Sequence, residues 1–265
     1  RSRRMSERVP SDDRGLLLGD GLFETILFKA GRPVLWQEHV QRLARGCALL
    51  GLDEPEPDRL LHAATAALQA AGLEQGRAAV RLTWTAGSGG RGLERPDPLR
   101  PRLIAAAAPS PPPGAPATLA LSAIRRNETS PTSRLKTLSY LDNVLARRKA
   151  RAAGADEAVM LNSRGELAGC AAANLFWLKG EQLFTPALDC GVLDGIVRAW
   201  VLAAAPSFGL APVEVNTGVQ ALDGTANVFI TNSLIGVRQA ASLQGRAFAL
   251  DSRIEALSLA LAAVN

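Results

Sequence analysis

The chain has 265 residues, of which 47% are apolar and 21% are charged. This composition supports a large buried core and excludes disordered, collagen-like and mini-protein classes. No stretch approaches the roughly 18 uninterrupted apolar residues of a membrane helix, and the basic start, RSRRMSERVP, is not followed by the apolar core of a signal peptide. We therefore expect a cytoplasmic globular protein of one large or two modest domains.

The charged and sulfur-containing residues argue against several classes of partner. Cys47, Cys170 and Cys190 lie far apart, with no CxxC pair and only two histidines in the chain. We therefore expect neither a disulfide framework nor a metal site. The net charge is +5, but the basic residues are scattered and few aromatic residues lie among them. We expect no nucleic-acid partner and no membrane partner.

The first half of the chain predicts strands mixed with helices. Val40, Leu43 and Cys47 recur at three- and four-residue steps, which is typical of a helix that buries one face. The predicted elements are a β-hairpin over 22–35 with its turn at Ala30-Gly31, helices over 37–50 and 58–71, each followed by a glycine, a strand over 78–85, and a glycine-rich loop from Gly87.

A proline-rich segment, Pro109 to Ala117, precludes both helix and central strand. We interpret it as a linker between an N-terminal domain at 1–108 and a C-terminal domain at 118–265. The second half predicts a strand over 119–124, a helix over 140–153, hairpins over 157–169 and 174–186, a helix over 193–205, a strand over 227–234 and a final helix over 251–264. Antiparallel hairpins with inserted helices indicate an α+β fold and argue against a doubly wound parallel sheet.

Several familiar catalytic motifs are missing from the sequence. GSGGRG at 87–92 lacks the GK[ST] ending of a phosphate-binding loop, and neither GxSxG nor HExxH occurs. His39 lies on a predicted helix face, where a single histidine is typical of a structural role. Nucleotide, serine-hydrolase and zinc-hydrolase chemistry are therefore not expected.

Lys136 is notable because lysine is rare in this chain. Only four of the 30 basic residues are lysines. Lys29 and Lys179 lie beside glycines in predicted turns, and Lys149 lies in an arginine-rich helix, whereas Lys136 lies between apolar residues in SRLKTLSYL, at the entrance to a helix. Burial lowers the pKa of a lysine amine and suits it to Schiff-base chemistry. A surface lysine whose amine reaches water is the alternative interpretation.

Five blocks follow one another in the sequence: DRGLLLGDGLFET at 13–25, EHVQRL at 38–43, TAGSGGRG at 85–92, the stretch from SRLKTLSYL to GVLDGIVR at 133–198, and VFITNSLIGV at 228–237. In this order they resemble the class IV, fold type IV, pyridoxal-phosphate-dependent enzymes over nearly the whole chain. KTLSYLDNVLAR, CAAANLFWLKG and FITNSLIGVR look most like the 4-amino-4-deoxychorismate lyase branch.

The resemblance implies a two-domain α+β fold. The smaller N-terminal domain would be an α/β sandwich, and the larger C-terminal domain would be mixed and β-barrel-like, with helices. The resemblance also implies pyridoxal 5'-phosphate as the cofactor, a small-molecule substrate and a homodimer.

The resemblance also assigns roles to individual residues. Lys136 matches the lysine that forms a Schiff base with the cofactor and later moves protons. The cofactor phosphate is assigned to Arg42 in HVQRL, to the backbone amides of Ile196 and Val197 in GIVR, and to the hydroxyl of Ser233 in TNSL. Because the family often has threonine at the position of Val197, we expect phosphate binding to be weaker by about 1 kcal/mol.

One position departs from the family pattern. The family places a glutamate five residues before the asparagine that is Asn174 here, where it keeps the pyridine nitrogen of the cofactor protonated. This chain has Gly169 at that position. Glu166 lies three residues earlier, an odd offset, so on an alternating strand it should point to the opposite face. We expect a weaker electron sink, which harms transamination more than a lyase reaction whose product becomes aromatic.

Two further residues are candidates for substrate binding, one from the resemblance and one from its spacing to Lys136. Arg91, in GSGGRG, resembles the loop arginine that reaches a substrate carboxylate across the dimer interface in some family members. Tyr140 comes four residues after Lys136 and could place its hydroxyl one helical turn away. A solvated loop arginine and a core-packing tyrosine are the alternatives.

The sequence therefore predicts a lyase that converts 4-amino-4-deoxychorismate to 4-aminobenzoate and pyruvate, a step toward folate. A class IV aminotransferase that acts on D-amino or branched-chain amino acids is one alternative. A cofactor-poor or non-catalytic family member is the other, because Gly169 and Val197 depart from the family pattern.

Overall fold

The computed structural model describes residues 9–225 and 227–264. These residues form two compact units. Unit 1 comprises the described residues up to Pro112 together with Lys136–Ser139, and unit 2 comprises Pro113–Leu135 and Tyr140–Val264. The sequence-based division assigns residues 136–139 to the C-terminal domain. In the structure they belong to unit 1, because their backbone is hydrogen-bonded to its first long strand.

Unit 1 is built on an antiparallel sheet. Its elements are α1 Arg14–Leu18, β1 Gly21–Lys29, β2 Arg32–Pro33, α2 Trp36–Leu50, α3 Pro57–Ala71, β3 Arg77–Thr85 and β4 Arg102–Pro109, and the strand order is β2-β1-β3-β4. The predicted hairpin, both helices and the strand over 78–85 are confirmed. The sequence analysis missed α1, which is only five residues long, and β4, which is rich in alanine and therefore carries little strand signal.

The two long helices of unit 1 end where glycine allows a left-handed residue. Gly51 after α2 and Gly72 after α3 have φ values of 61° and 67°, and their amides bond back to the last turn. In β1, all nine residues are buried or half-buried, and one of them is Glu24. A carboxylate in such a strand needs partners.

Unit 2 is built on a larger, mixed sheet. Its elements are β5 Ala117–Arg126, α4 Leu141–Ala152, β6 Glu157–Asn162, β7 Leu167–Cys170, β8 Asn174–Lys179, β9 Gln182–Pro186, α5 Ile196–Ala204, β10 Ala211–Val215, β11 Asn227–Asn232, β12 Gly236–Leu243, β13 Arg246–Ala247 and α6 Ser252–Ala262. The predicted strands, hairpins and helices are present, although α5 begins three residues later than expected. The sequence analysis missed β10, β12 and β13.

The sheet of unit 2 has the order β10-β9-β8-β11-β12-β5-β6-β7, with β13 paired to β12. The pairs β9·β10, β5·β12 and β5·β6 are parallel and the others are antiparallel. Its strands enclose an apolar core that includes Leu167, Leu175 and Trp177. A second cluster, centred on Ala158 and Met160, packs against α4. No helix in the described ranges is long and apolar enough to cross a membrane.

Candidate active site

The backbone around Lys136 is fixed by β1. The amide of Phe23 donates a 2.9 Å hydrogen bond to the carbonyl oxygen of Lys136, and the amide of Leu138 donates one of 3.1 Å to that of Gly21. Leu22 and Thr137 form a bridge between the two segments. Residues 136–139 are therefore not helical, so Tyr140 does not lie one helical turn from Lys136, and its contact with substrate stays a prediction. Tyr140 is the N-cap of α4, in unit 2.

The amine of Lys136 lies against an aromatic ring. Lys136 is half-buried, and its Nζ lies 4.1 Å from the centre of the Phe23 ring. Phe23 is itself buried in β1. A cation over an aromatic face gains about 0.5–1 kcal/mol at exposed sites and about 2 kcal/mol where water is excluded. Lys136 is therefore positioned by an aromatic contact, and its role as the attachment point of the cofactor stays a prediction.

Glu24, the neighbour of Phe23 in β1, is a buried carboxylate that was not identified from the sequence. Its carboxylate, 2% exposed, accepts hydrogen bonds from Nε and Nη2 of Arg42 at 2.8 and 2.6 Å. It lies 2.6 Å from Nδ1 of His39. Burial favours a higher pKa for Glu24, but the charge of Arg42 and the hydrogen bonds from His39 and Arg42 lower it to about 2. Glu24 is therefore ionised, and His39 Nδ1 must be the donor.

His39 lies inside the core of unit 1 and contacts the same carboxylate. Burial lowers its pKa below the ordinary value, more than the bond to Glu24 raises it, and the positive charges of Arg42 and Lys136 lower it further. The neutral imidazole is thus a structural donor to Glu24, consistent with the interpretation of His39 from the sequence.

Arg81, in β3, is a second cation on the ring that contacts Lys136. Its guanidinium carbon lies 3.6 Å from the centre of the Phe23 ring, and its Nε donates to the hydroxyl of Thr83 at 3.2 Å. Nζ of Lys136 and the guanidinium carbon of Arg81 both lie close to the centre of the Phe23 ring. The distance between these two atoms is therefore at most the sum of their distances to that centre. The sequence analysis missed Arg81, because only the pairing of β1 with β3 brings it to Phe23.

The loop that carries Arg91 is held by Arg14. The buried guanidinium of Arg14 donates to the carbonyl oxygens of Glu94 at 2.9 Å and Leu93 at 3.0 Å, and to the carboxylate of Asp20 at 3.0 Å. Arg91 itself is exposed on this loop. The structure gives the loop a fixed shape, while the contact of Arg91 with substrate stays a prediction.

The N-terminus of α5 supplies backbone donors in unit 2. Its N-cap, Gly195, makes no side-chain cap bond, and Ile196 and Val197 are buried. A Cβ at Gly195 would collide with Oδ1 of Asn174. Nδ2 of Asn174 donates to the carbonyl oxygen of Leu193 at 3.0 Å, so this asparagine fixes the approach to α5. An uncapped helix start of this kind is suited to an anion.

Ser233 lies in a tight turn of the same unit. Oδ1 of Asn232 accepts the amides of Leu234 and Ile235, each at 2.9 Å. Nδ2 of Asn232 donates to the carbonyl oxygen of Ala172 at 2.8 Å, two residues before Asn174. The Ser233 turn and the approach to α5 are therefore anchored to neighbouring residues, Ala172 before β8 and Asn174 at its start. The nearby hydroxyl of Thr231 is buried and has no hydrogen-bond partner in the described part of the chain.

Gly169, in β7, provides no side chain where the family has a carboxylate. Its φ is +83°, and a Cβ there would lie 3.3 Å from the carbonyl oxygen of Ala173. Glu166 does not substitute for the missing group, as the sequence predicts. Its carboxylate is bound to Arg164 and to Asn162, both at 2.7 Å.

The cofactor that the resemblance implies needs an amine for its aldehyde, a site for its phosphate and a carboxylate for its pyridine nitrogen. A lysine amine on an aromatic face suits the aldehyde. The uncapped start of α5, the Ser233 turn and an arginine oriented by Glu24 suit a phosphate dianion. The carboxylate for the pyridine nitrogen is missing at Gly169. The described residues contain no cluster of metal-ligating side chains.

The sequence and the fold were compared with known proteins. A sequence profile described as Amino-transferase class IV matches residues 21–243. Aminodeoxychorismate lyase of Bacillus subtilis (strain 168) is 30% identical over 231 residues, which cover 85% of this chain and 78% of that protein. D-alanine aminotransferase of Listeria monocytogenes serotype 4b (strain F2365) is 28% identical over 262 residues, covering 89% and 83%.

A solved structure of 4-amino-4-deoxychorismate lyase from Pseudomonas aeruginosa has a TM-score of 0.85 to this chain. It is 29% identical, and the match covers 97% of this chain and 95% of that chain. This likeness confirms the predicted fold class. The sequence identities alone do not separate a lyase from an aminotransferase.

Proposed function

Because the chain belongs to the class IV amino-transferase family, we propose that it is a pyridoxal-phosphate-dependent lyase that converts 4-amino-4-deoxychorismate to 4-aminobenzoate and pyruvate. The observation that carries this proposal is the combination of a positioned Lys136 with a glycine at position 169. A chain that keeps the lysine but lacks the carboxylate is suited to a reaction that needs only a modest electron sink.

Each expected contact of the cofactor belongs to a residue that the resemblance names. Lys136 would bind its aldehyde, and Arg42, oriented by Glu24, would bind its phosphate. The amides of Ile196 and Val197 and the hydroxyl of Ser233 would also bind the phosphate. When bound, pyridoxal phosphate supplies an electron sink that stabilises negative charge on the substrate.

The substrate reaction needs one base, one leaving group and a carboxylate receptor. The Lys136 amine takes the proton from the ring carbon that carries the amino group as the C–O bond to the enolpyruvyl group breaks. The group leaves as the enolate of pyruvate, and the proton taken by Lys136 is returned to its methylene carbon to give pyruvate. The ring gains aromaticity, which supplies driving force independent of the protein. Arg81, on the same Phe23 ring as Lys136, receives a substrate carboxylate, a contact for which a guanidinium is well suited.

A class IV aminotransferase is the second candidate, because an aminotransferase relative matches a similar share of this chain. Transamination needs protonation at a cofactor carbon and a second half-reaction with a keto acid. Both steps need a stronger electron sink than the lyase reaction does, and Gly169 provides no carboxylate to support that sink.

We further propose a homodimer, in which Arg91 reaches the substrate of the partner subunit.

The experiment that tests the proposed function is a pyruvate assay with purified holoenzyme, 4-amino-4-deoxychorismate and no added keto acid. We expect pyruvate and 4-aminobenzoate in equal amounts, and neither product with Lys136→Ala. A strict requirement for a keto acid would identify an aminotransferase. An unchanged cofactor spectrum after addition of protein would identify the cofactor-free alternative.

A further inference from the structure

Arg126 is the last residue of β5, and its side chain reaches across the neighbouring strand. In the sheet, β5 pairs with β6, where Arg126 lies beside Asn162, and β6 pairs with β7. Nη2 of Arg126 nevertheless donates a 3.0 Å hydrogen bond to the carbonyl oxygen of Cys170, in β7. The guanidinium therefore lies next to the residue that follows Gly169.

One donor of this half-buried arginine is buried without a partner. Nε of Arg126 is inaccessible to solvent and has no hydrogen-bond partner among the described residues. Burial lowers the pKa of Arg126, while Tyr140, Cys170 and Glu157 are the titratable groups that act on it electrostatically. Leaving a buried donor unsatisfied costs about 1–3 kcal/mol. Such a donor suits an acceptor that the protein itself does not supply.

The nearby acid is already engaged elsewhere. Oε1 of Glu157 accepts the amide of Ala158 at 2.9 Å, and Oε2 lies 3.5 Å from Arg147. Burial, partly offset by these contacts, raises the pKa of Glu157 above its ordinary value. Glu157 therefore compensates the charge of Arg126 only weakly. It leaves Nε of Arg126 available for a ligand.

We propose that Arg126 donates a hydrogen bond to the pyridine nitrogen of bound pyridoxal phosphate, in the place that Gly169 leaves without a carboxylate. This inference rests on the proposed function. Because arginine does not give up its proton in proteins, a nitrogen that accepts from it keeps its lone pair and stays unprotonated. An unprotonated pyridine is a weaker electron sink than a pyridinium. The lyase reaction can proceed with the weaker sink because formation of the aromatic product supplies part of the driving force.

The test is a pH titration of the holoenzyme reconstituted with pyridoxal phosphate labelled with ¹⁵N at the pyridine position, followed by ¹⁵N NMR. We expect the wild-type nitrogen to be unprotonated at neutral pH. Arg126→Met should raise its protonation constant at least tenfold, which is about one pKa unit. Arg125→Met is the matched control, because Arg125 is the exposed neighbour on the same strand and its loss removes the same charge.

A wild-type pyridinium at neutral pH would overturn the role of Arg126, as would an Arg126→Met variant that titrates like wild type and Arg125→Met. If Arg126→Met does not fold, Arg126→Gln, which removes the same charge, takes its place in the comparison with Arg125→Met. Failure of the wild-type protein to retain labelled cofactor would overturn the proposed function as well. Retained cofactor with a protonated nitrogen would overturn only this inference.

Discussion

Glu24 is a buried carboxylate that stays charged because Arg42 and His39 donate hydrogen bonds to it. Its pKa of about 2 lies below the ordinary 4.5. A carboxyl whose folded pKa is lowered contributes stability that is present above its unfolded pKa and is lost as the pH falls through its folded pKa. For Glu24 that window runs from pH 4.5 down to about 2, and the shift corresponds to about 3 kcal/mol.

Glu24→Gln should therefore lower the free energy of unfolding by about 3 kcal/mol at pH 7. The difference from wild type should shrink as the pH approaches 2. Urea unfolding at several pH values measures both. Glu38→Gln, which removes an exposed carboxylate from α2, is the control and should change stability little. A Glu24→Gln effect that is equal at pH 7 and pH 3 would show that packing, and not charge, dominates.

Sequence reasoning identifies the residues of the site unevenly. Lys136 is identifiable because lysine is rare in this chain and because its motif resembles a known family. Glu24 leaves a weaker signal, a single acid within the apolar strand LFETILF, which gains meaning only when its partners on α2 are known. Arg81 and Arg126 leave none, since strand pairing alone decides which ring or carbonyl group they contact.

At the scale of elements, α5 is suited to an anion because its first turn has no side-chain cap. Val197→Thr should add a hydroxyl at this turn and tighten cofactor binding roughly fivefold, which corresponds to about 1 kcal/mol. Equilibrium dialysis against pyridoxal phosphate measures the change. Val201→Thr places the same hydroxyl one turn later in the same buried helix and should leave affinity unchanged. Equal affinity of both variants would contradict an anion site at this helix start.

The backbone conformation of Gly169, in β7, affects what happens when a mutation adds the carboxylate that this position lacks. Because Gly169 has a φ of +83°, any side chain there is strained by about 1–2 kcal/mol. Gly169→Glu and Gly169→Gln should therefore lower the melting temperature by similar amounts, and only the glutamate should increase transamination with an added keto acid. Comparing the two variants separates charge from strain. Equal transamination by both would show that the account of the missing carboxylate is wrong.

Elements with a local signal are predictable here, and elements defined by pairing are not. Periodic apolar residues and glycine stops predict α2 and α3 to within one residue at each end. The alanines of β4 carry no pattern. The parallel pairing of β5 with β6 and β12 joins segments distant in sequence, so no local motif specifies it.

At the scale of the whole molecule, the chain returns to unit 1 for four residues after unit 2 has begun. A single linker at 109–117 does not predict this return. It results from the backbone bonds between β1 and Lys136–Ser139, which attach the proposed catalytic lysine to the sheet that also carries Glu24 and Phe23. The lysine is therefore positioned by a sheet and not by a helix.

The central claim is that Lys136 is the attachment point of the cofactor. Because the chain has only four lysines, borohydride reduction of the holoenzyme followed by peptide mass mapping tests it directly. The account predicts one cofactor-sized mass increase per chain, on the peptide that contains Lys136. A reduced adduct on Lys29, Lys149 or Lys179, or no adduct on any lysine of a protein supplied with pyridoxal phosphate, would contradict it.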